Sequence, residues 1–246
     1  MERTSQRPST AAARSSGSSV LTALTVVSGA LILLSAYMAL AGAPAASNAG
    51  LTADEQFAQR IIYFHVPSAW LSMLAFGVTM VASIGYLVKS ERAWDSFAVS
   101  SAEIGLVFTL AATASGSIWA KPAWNTWWTW DPRLTTYTIV FLLFVAYFML
   151  RSAMEDPARR ARFSAVYAIF AFLSVPITFM SIRWWRTIHP VLIDEKSGFG
   201  LGPGMMNAFF ISLFSFTVLY VVLLLHRFRL ERTKEQVEEL KEQLGY

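Results

Sequence analysis

Six long apolar stretches dominate this chain, at 20–42, 67–88, 98–118, 134–151, 163–182 and 205–226. Each is close to the roughly 17–25 residues that a helix needs to cross a bilayer. Inside lipid no water satisfies backbone N–H and C=O groups, so such segments must be helical. The composition agrees: 55% of the 246 residues are hydrophobic and only 15% are charged, against about 25% charged in soluble domains. The expected fold class is an all-α integral membrane protein with six transmembrane helices. The first span has an upstream arginine and a following AGAPAA, as a signal peptide would. Its apolar run exceeds the ~7–15 residues of a signal h-region, so a retained helix is expected.

Lysine and arginine set the orientation. Arg3, Arg7, Arg14, Lys89, Arg92, Arg151, Arg159, Arg160, Arg162, Arg227, Arg229, Arg232, Lys234 and Lys241 fall in one set of connecting segments. Arg60, Lys121, Arg133, Arg183, Arg186 and Lys196 fall in the other, a division of 14 against 6. The richer set is expected to be cytoplasmic, with both termini on that side. The net charge of +4 then reflects membrane orientation and gives no argument for nucleic acid. The chain has no cysteine, which excludes disulfides, thiolate metal sites and C-x-x-C-H haem attachment. Three regions follow: 1–19, rich in Ser, Ala and Arg and expected to be disordered; the membrane domain 20–226; and 227–246, an amphipathic cytoplasmic helical tail. In that tail Leu230, Val237 and Leu244 recur every seven residues, with Leu240 between them. A solvated charged helix and a docking element both fit this pattern.

Three histidines are present. His65, in IIYFHVPSAW, precedes Pro67, a residue suited to the first turn of a helix, so His65 is expected just outside the second span. His189, in WWRTIHPVL, precedes Pro190 and is expected in an extended or turn segment. Both lie at the predicted outer interface; His226 lies at the inner end of the sixth span. Imidazole ligates haem iron and zinc. Asp54, Glu55, Asp131, Asp194 and Glu195 on the same side leave zinc open, although zinc does not explain what lies between the histidines.

There, WAKPAWNTWWTW packs Trp119, Trp124, Trp127, Trp128 and Trp130 into residues 119–130. A short external helix over 123–131, between spans three and four, would put Trp124, Trp127, Trp128 and Asp131 on one face. An interfacial aromatic belt accounts for Trp70 or Trp94. It accounts less well for five indoles in one connection, with Trp184 and Trp185 added on the same side. A large flat apolar ligand with a polar edge fits better. Haem is such a ligand, and Arg60, Lys121, Arg133, Arg183 and Arg186 could meet its propionates. Asp131 also suits the N-cap of the fourth span, with Pro132 at the first helical position. Glu103, the acid within a predicted span, is a functional candidate unless it reaches water at the cytoplasmic end. The loop EKSGFGLGPG, with Gly198, Gly200, Gly202 and Gly204, is expected to be able to move.

The order IIYFHVPSAW, GSIWAKPAWNTWWTWDPRLTT, IRWWRTIHP resembles the haem exporter protein C (CcmC) family, small six-helix members of the tryptophan-rich haem-handling proteins of cytochrome c maturation. The resemblance covers about residues 55 to 226. It implies that His65 and His189 are axial ligands of haem. It also implies that Trp119, Trp124, Trp127, Trp128, Trp130, Asp131 and Arg133 form the tryptophan motif that holds the haem edge. Asn125, Pro132 and Pro190 depart from the usual motif, where glycine and alanine are common at the first two. The resemblance further implies transient, non-covalent b-type haem, a non-enzymatic role in presenting it, and location in the cytoplasmic (inner) membrane among its lipids. The implied partners are a periplasmic haem chaperone, ABC-transporter subunits and a small membrane subunit. Three other classes stay open: an electron-transfer haem subunit of a respiratory enzyme, a larger-type haem ligase, and a transporter subunit without bound haem.

Overall fold

The computed structural model describes residues 10–44, 52–194, 198–199 and 201–245. Among these, eight α-helices run in chain order: α1 (Thr10–Tyr37), α2 (Ala53–Ala58), α3 (Ile62–Lys89), α4 (Arg92–Trp124), α5 (Pro132–Ser152), α6 (Pro157–Phe172), α7 (Ser174–Trp184) and α8 (Pro203–Leu244). A π turn, Met38–Gly42, closes α1, and a 3₁₀ turn, Gln59–Ile61, joins α2 to α3. Six helical segments are long and apolar enough to cross a membrane, so the protein is multi-pass. A ribbon, β1 (Ile193–Asp194) and β2 (Gly198–Phe199), pairs antiparallel in the glycine-rich loop, whose centre lies outside the described residues.

Five boundaries differ from expectation, each for a local reason. Helix α1 starts at Thr10, within the region expected to be disordered; Ala11, Ala12, Ala13 and Arg14 are strong helix formers. Residues 1–9 lie outside the described residues. The second span starts well before Pro67. Thr52 and Glu55 form a capping box at α2, and helical backbone then continues through the 3₁₀ turn, so His65 and Pro67 lie inside α3. The signal was present in TADE, a Thr followed three residues later by Glu. The external tryptophan helix is absent. Instead α4 continues to Trp124 and stops where Asn125 turns left-handed at φ 54°, a conformation that asparagine tolerates. The fifth span is broken at Leu173 into α6 and α7; Pro176 would set its ring against the carbonyl of Phe172 in a continuous helix. Finally, the tail is no separate element, because α8 runs from Pro203 to Leu244 without interruption.

Helices α3 and α4 form the centre of the bundle. Ala112 and Gly116 meet His65, Ser101 and Gly105 meet Ala75, and Ala98 meets Thr79. This constant register marks an antiparallel pair. Small residues allow the close approach that membrane helices rely on. Phe76 stacks on Phe144 with centroids 3.6 Å apart and anchors a core with Val99, Val140, Tyr147, Ala168 and Val175. A Cβ at Gly105 would lie 2.6 Å from the Phe76 ring, and the Phe144 stack blocks its retreat. Gly105→Ala is therefore expected to lower thermal stability in detergent. The overpacking cost of about 1–3 kcal/mol outweighs the ~1 kcal/mol that alanine adds to a helix. Gly29, with nothing within 4 Å of an added Cβ, is the control: Gly29→Ala should leave the melting temperature unchanged or raise it.

The arginine-rich end is held by ion pairs. Arg151 grips Asp95 through two bonds of 2.7 and 2.9 Å. Arg227 joins Glu103 at 2.7 Å and Glu231 at 2.7 Å, so Glu103 serves as a half-exposed partner of α8. The tail docks on the start of α4, with Glu239 on Arg92 at 2.6 Å and Glu235 accepting from the Ser96 hydroxyl.

Candidate functional site

The end of the bundle predicted to face outward carries His65, His189 and the tryptophan connection. His65 projects from α3 toward α4, where its Nδ1 lies 3.0 Å from the Ala112 carbonyl and 3.2 Å from Ser115 Oγ. Ser115 donates its own hydrogen to Ala111 O at 2.7 Å. Both neighbours are thus acceptors toward the ring, so Nδ1 carries the proton and Nε2 keeps its lone pair. Gly116 makes the seat possible: an added Cβ would stand 2.9 Å from His65 Cε1.

His189 lies in the irregular segment after α7, as Pro190 predicts. Its Nδ1 faces the Pro190 carbonyl at 3.0 Å, so it too carries its proton on Nδ1 and leaves Nε2 free. Burial, with Arg133 and His65 both close enough to act on it electrostatically, pushes His189 down to about 4. The ring is therefore neutral at physiological pH, as a metal ligand must be. His226 contrasts with both. Its Nε2 donates to Thr25 Oγ1 at 2.9 Å, because Thr25 spends its own hydrogen on Leu21 O at 2.8 Å. It ties α8 to α1 and has no free Nε2.

Asp131 joins the two parts of the site. It caps α5, accepting from Arg133 N at 2.9 Å. The same carboxylate accepts from Thr187 Oγ1 at 2.6 Å and from Ile188 N at 2.9 Å. His189 N in turn donates to Thr187 Oγ1 at 3.0 Å. The tryptophan motif thus holds the histidine loop through its aspartate, a link that no spacing in the sequence reveals.

The tryptophans do not share one face. Trp119 and Trp124 pack edge-on at 5.1 Å and line a groove with Glu55, Ala58 and Gln59 of the α2 segment. Trp128 and Trp130 form a second edge-on pair at 5.8 Å. Trp127 and Trp130 are exposed, as are Trp184 and Trp185. Trp128 Nε1 and Thr129 Oγ1, neighbours in the chain, are buried without a hydrogen-bond partner.

Comparison with known proteins decides the family. The family model described as heme exporter protein C matches residues 5–243. The chain belongs to the heme exporter protein C family. It is 37% identical over 183 residues to the heme exporter protein C of Bradyrhizobium diazoefficiens, covering 74% of this chain and 70% of that one. It is 33% identical over 186 residues to the protein of that name in Escherichia coli, covering 74% and 75%. A ccmC-like mitochondrial protein of Marchantia polymorpha, named as putative for cytochrome c biosynthesis, is 31% identical over 157 residues, covering 64% and 66%.

The residues present suit the haem that this family name points to. Two imidazoles offer Nε2, and the tryptophan connection between them in sequence holds an orphaned indole N–H, that of Trp128. Arg133 gives Nη1 to the carbonyls of Thr178 and Phe179 at 2.6 and 3.2 Å. Among the described residues it has no carboxylate in salt-bridge range, and neither do Arg183 and Arg186. A cation without an acid is suited to an anionic ligand group. The other two sequence candidates are in the same position: Arg60 Nη1 donates to Ala39 O at 2.8 Å, Lys121 reaches Asn125 Oδ1 at 3.3 Å, and neither has a carboxylate in salt-bridge range among the described residues. No group of three His, Asp or Glu side chains able to hold a metal ion occurs among the described residues. Gly116, Ser115 and Thr187 were not legible as site residues; the small residues one turn apart in Ala112-x-x-Ser115-Gly116 are the only hint.

Proposed function

We propose that this chain binds haem at the outer face of the cytoplasmic membrane and presents it, non-covalently and transiently, to a periplasmic haem chaperone during cytochrome c maturation. It acts there as a non-enzymatic subunit of an ABC-type complex with a small membrane subunit. Membership of the heme exporter protein C family supports haem handling for cytochrome c biogenesis. The carrying observation is that His65 and His189, and not His226, keep Nε2 unprotonated and unengaged at one end of the bundle.

In this reading haem is the cargo, and its own iron and side groups supply the chemistry; the chain supplies position and electrostatics. His65 and His189 hold the iron. Backbone carbonyls on both Nδ1–H groups fix the tautomer and raise the basicity of Nε2. Trp119, Trp124, Trp127, Trp128 and Trp130 wall the macrocycle, with Trp128 Nε1 available to a polar group at its edge. Arg133, assisted by Arg183 and Arg186, pairs with propionate. Asp131 holds the histidine loop. The exposed indoles Trp127 and Trp130 offer the surface on which the chaperone meets the cargo.

The test is the absorption spectrum of the detergent-purified protein with haemin, oxidised and reduced, beside His65→Ala and His189→Ala. The wild type is expected to show a low-spin, six-coordinate spectrum that each substitution abolishes. A wild type that takes up no haemin would overturn the reading and favour a transporter subunit without bound haem. A spectrum unchanged in both variants would refute the ligand assignment.

A further inference from the structure

The two histidines are held very differently. His65 stands on α3, inside a continuous helix, and its ring is bonded and packed against a second helix by Ala112, Ser115 and Gly116. The ring is thus held against a helix other than its own. His189 stands on irregular chain, and its ring nitrogen bonds only the carbonyl of the next residue in its own loop. What fixes that loop to the bundle is the Asp131 carboxylate. Thr187 and Ile188 donate to its two oxygens, and His189 N hangs from Thr187 Oγ1. Asp131 is itself the first residue after the tryptophan run and the cap of α5. It is 9% exposed, and its oxygens are spent on these donors.

We propose that Asp131 is a positioning residue that does not touch haem: with Thr187 it forms a clasp that sets His189, making His189 the ligand that lets go first while His65 retains the iron. This deepens the proposed haem site and rests on it. Because the clasp begins where the tryptophan run ends, a partner that displaces Trp127–Trp130 pulls on the same carboxylate that holds His189. Arrival of the acceptor and loosening of one iron ligand then become a single event.

The experiment compares haemin-loaded wild type, Asp131→Asn and Thr187→Val in detergent. Each is followed by optical and electron paramagnetic resonance spectra, with and without added imidazole, and by the rate of haemin loss to excess haem-free myoglobin. Thr187→Val keeps the α5 cap and so covers the case in which Asp131→Asn fails to fold. The expected result is haemin still bound, a shift from low-spin six-coordinate to high-spin five-coordinate iron, recovery of the low-spin signal with imidazole, and loss on the order of 10–100-fold faster. Variants that stay low-spin with unchanged loss rates would overturn the clasp. Thr187→Val protein that binds no haemin at all, while folded, would overturn the asymmetry, since His65 alone must then be insufficient. Wild-type protein without haemin would instead remove the underlying haem site, which keeps the two failures distinct.

Discussion

Gly116→Ala is expected to empty the histidine seat while leaving the helix intact. Alanine in place of glycine favours an α-helix by about 1 kcal/mol, so α4 itself should tolerate the change. The new Cβ, however, would stand 2.9 Å from His65 Cε1, where ordinary contact begins near 3.4 Å. Restoring contact displaces the ring by about half an ångström, the whole tolerance of a preorganised ligand set. The same shift strains the 3.0 Å bond to Ala112 O that fixes the tautomer. Haemin affinity should fall on the order of 10–100-fold, and Gly116→Leu should abolish binding. Haemin titration of the purified variants checks this against unchanged far-ultraviolet circular dichroism. Equal affinity for wild type and Gly116→Leu would show that the ring position seen here is not the one that binds.

Asp95→Asn should cause the largest loss of stability. The Arg151 and Asp95 side chains are 10% and 15% exposed, and the guanidinium lies against the Tyr147 ring at 5.7 Å. Removing the negative charge leaves Arg151 in an apolar setting without its partner, a cost of about 3–5 kcal/mol for breaking such a pair. The double variant Asp95→Leu with Arg151→Met removes both charges and should recover most of that loss. Chemical denaturation in mixed micelles reads both. A single variant as stable as wild type would mean that water reaches the pair freely.

The tail answers a question that the sequence left open. Leu230, Val237, Leu240 and Leu244 remain exposed, yet Glu235 and Glu239 bind the first turns of α4. Docking therefore goes through the charged side, not the heptad stripe. Amphipathic spacing shows that a helix has two faces, but it does not show which face finds a partner.

The sequence by itself determined the six spans, the helical fold, the capping of α5 by Asp131 and the residue types of the proposed haem site. These follow from local rules: lipid forbids unpaired backbone, proline and aspartate start helices, and imidazole, indole and guanidinium suit iron, macrocycle and propionate. Only the tertiary structure decided which histidine nitrogens are free, because an Nδ1 proton is assigned by whichever carbonyl a second helix or the local backbone brings to it. It also decided that Asp131 holds Thr187 and Ile188, that Gly116 seats His65 and that Asp95 pairs with Arg151. Those contacts join residues more than forty positions apart. Short-range periodicity carries no information about them; helix packing, which sets side-chain distances, does.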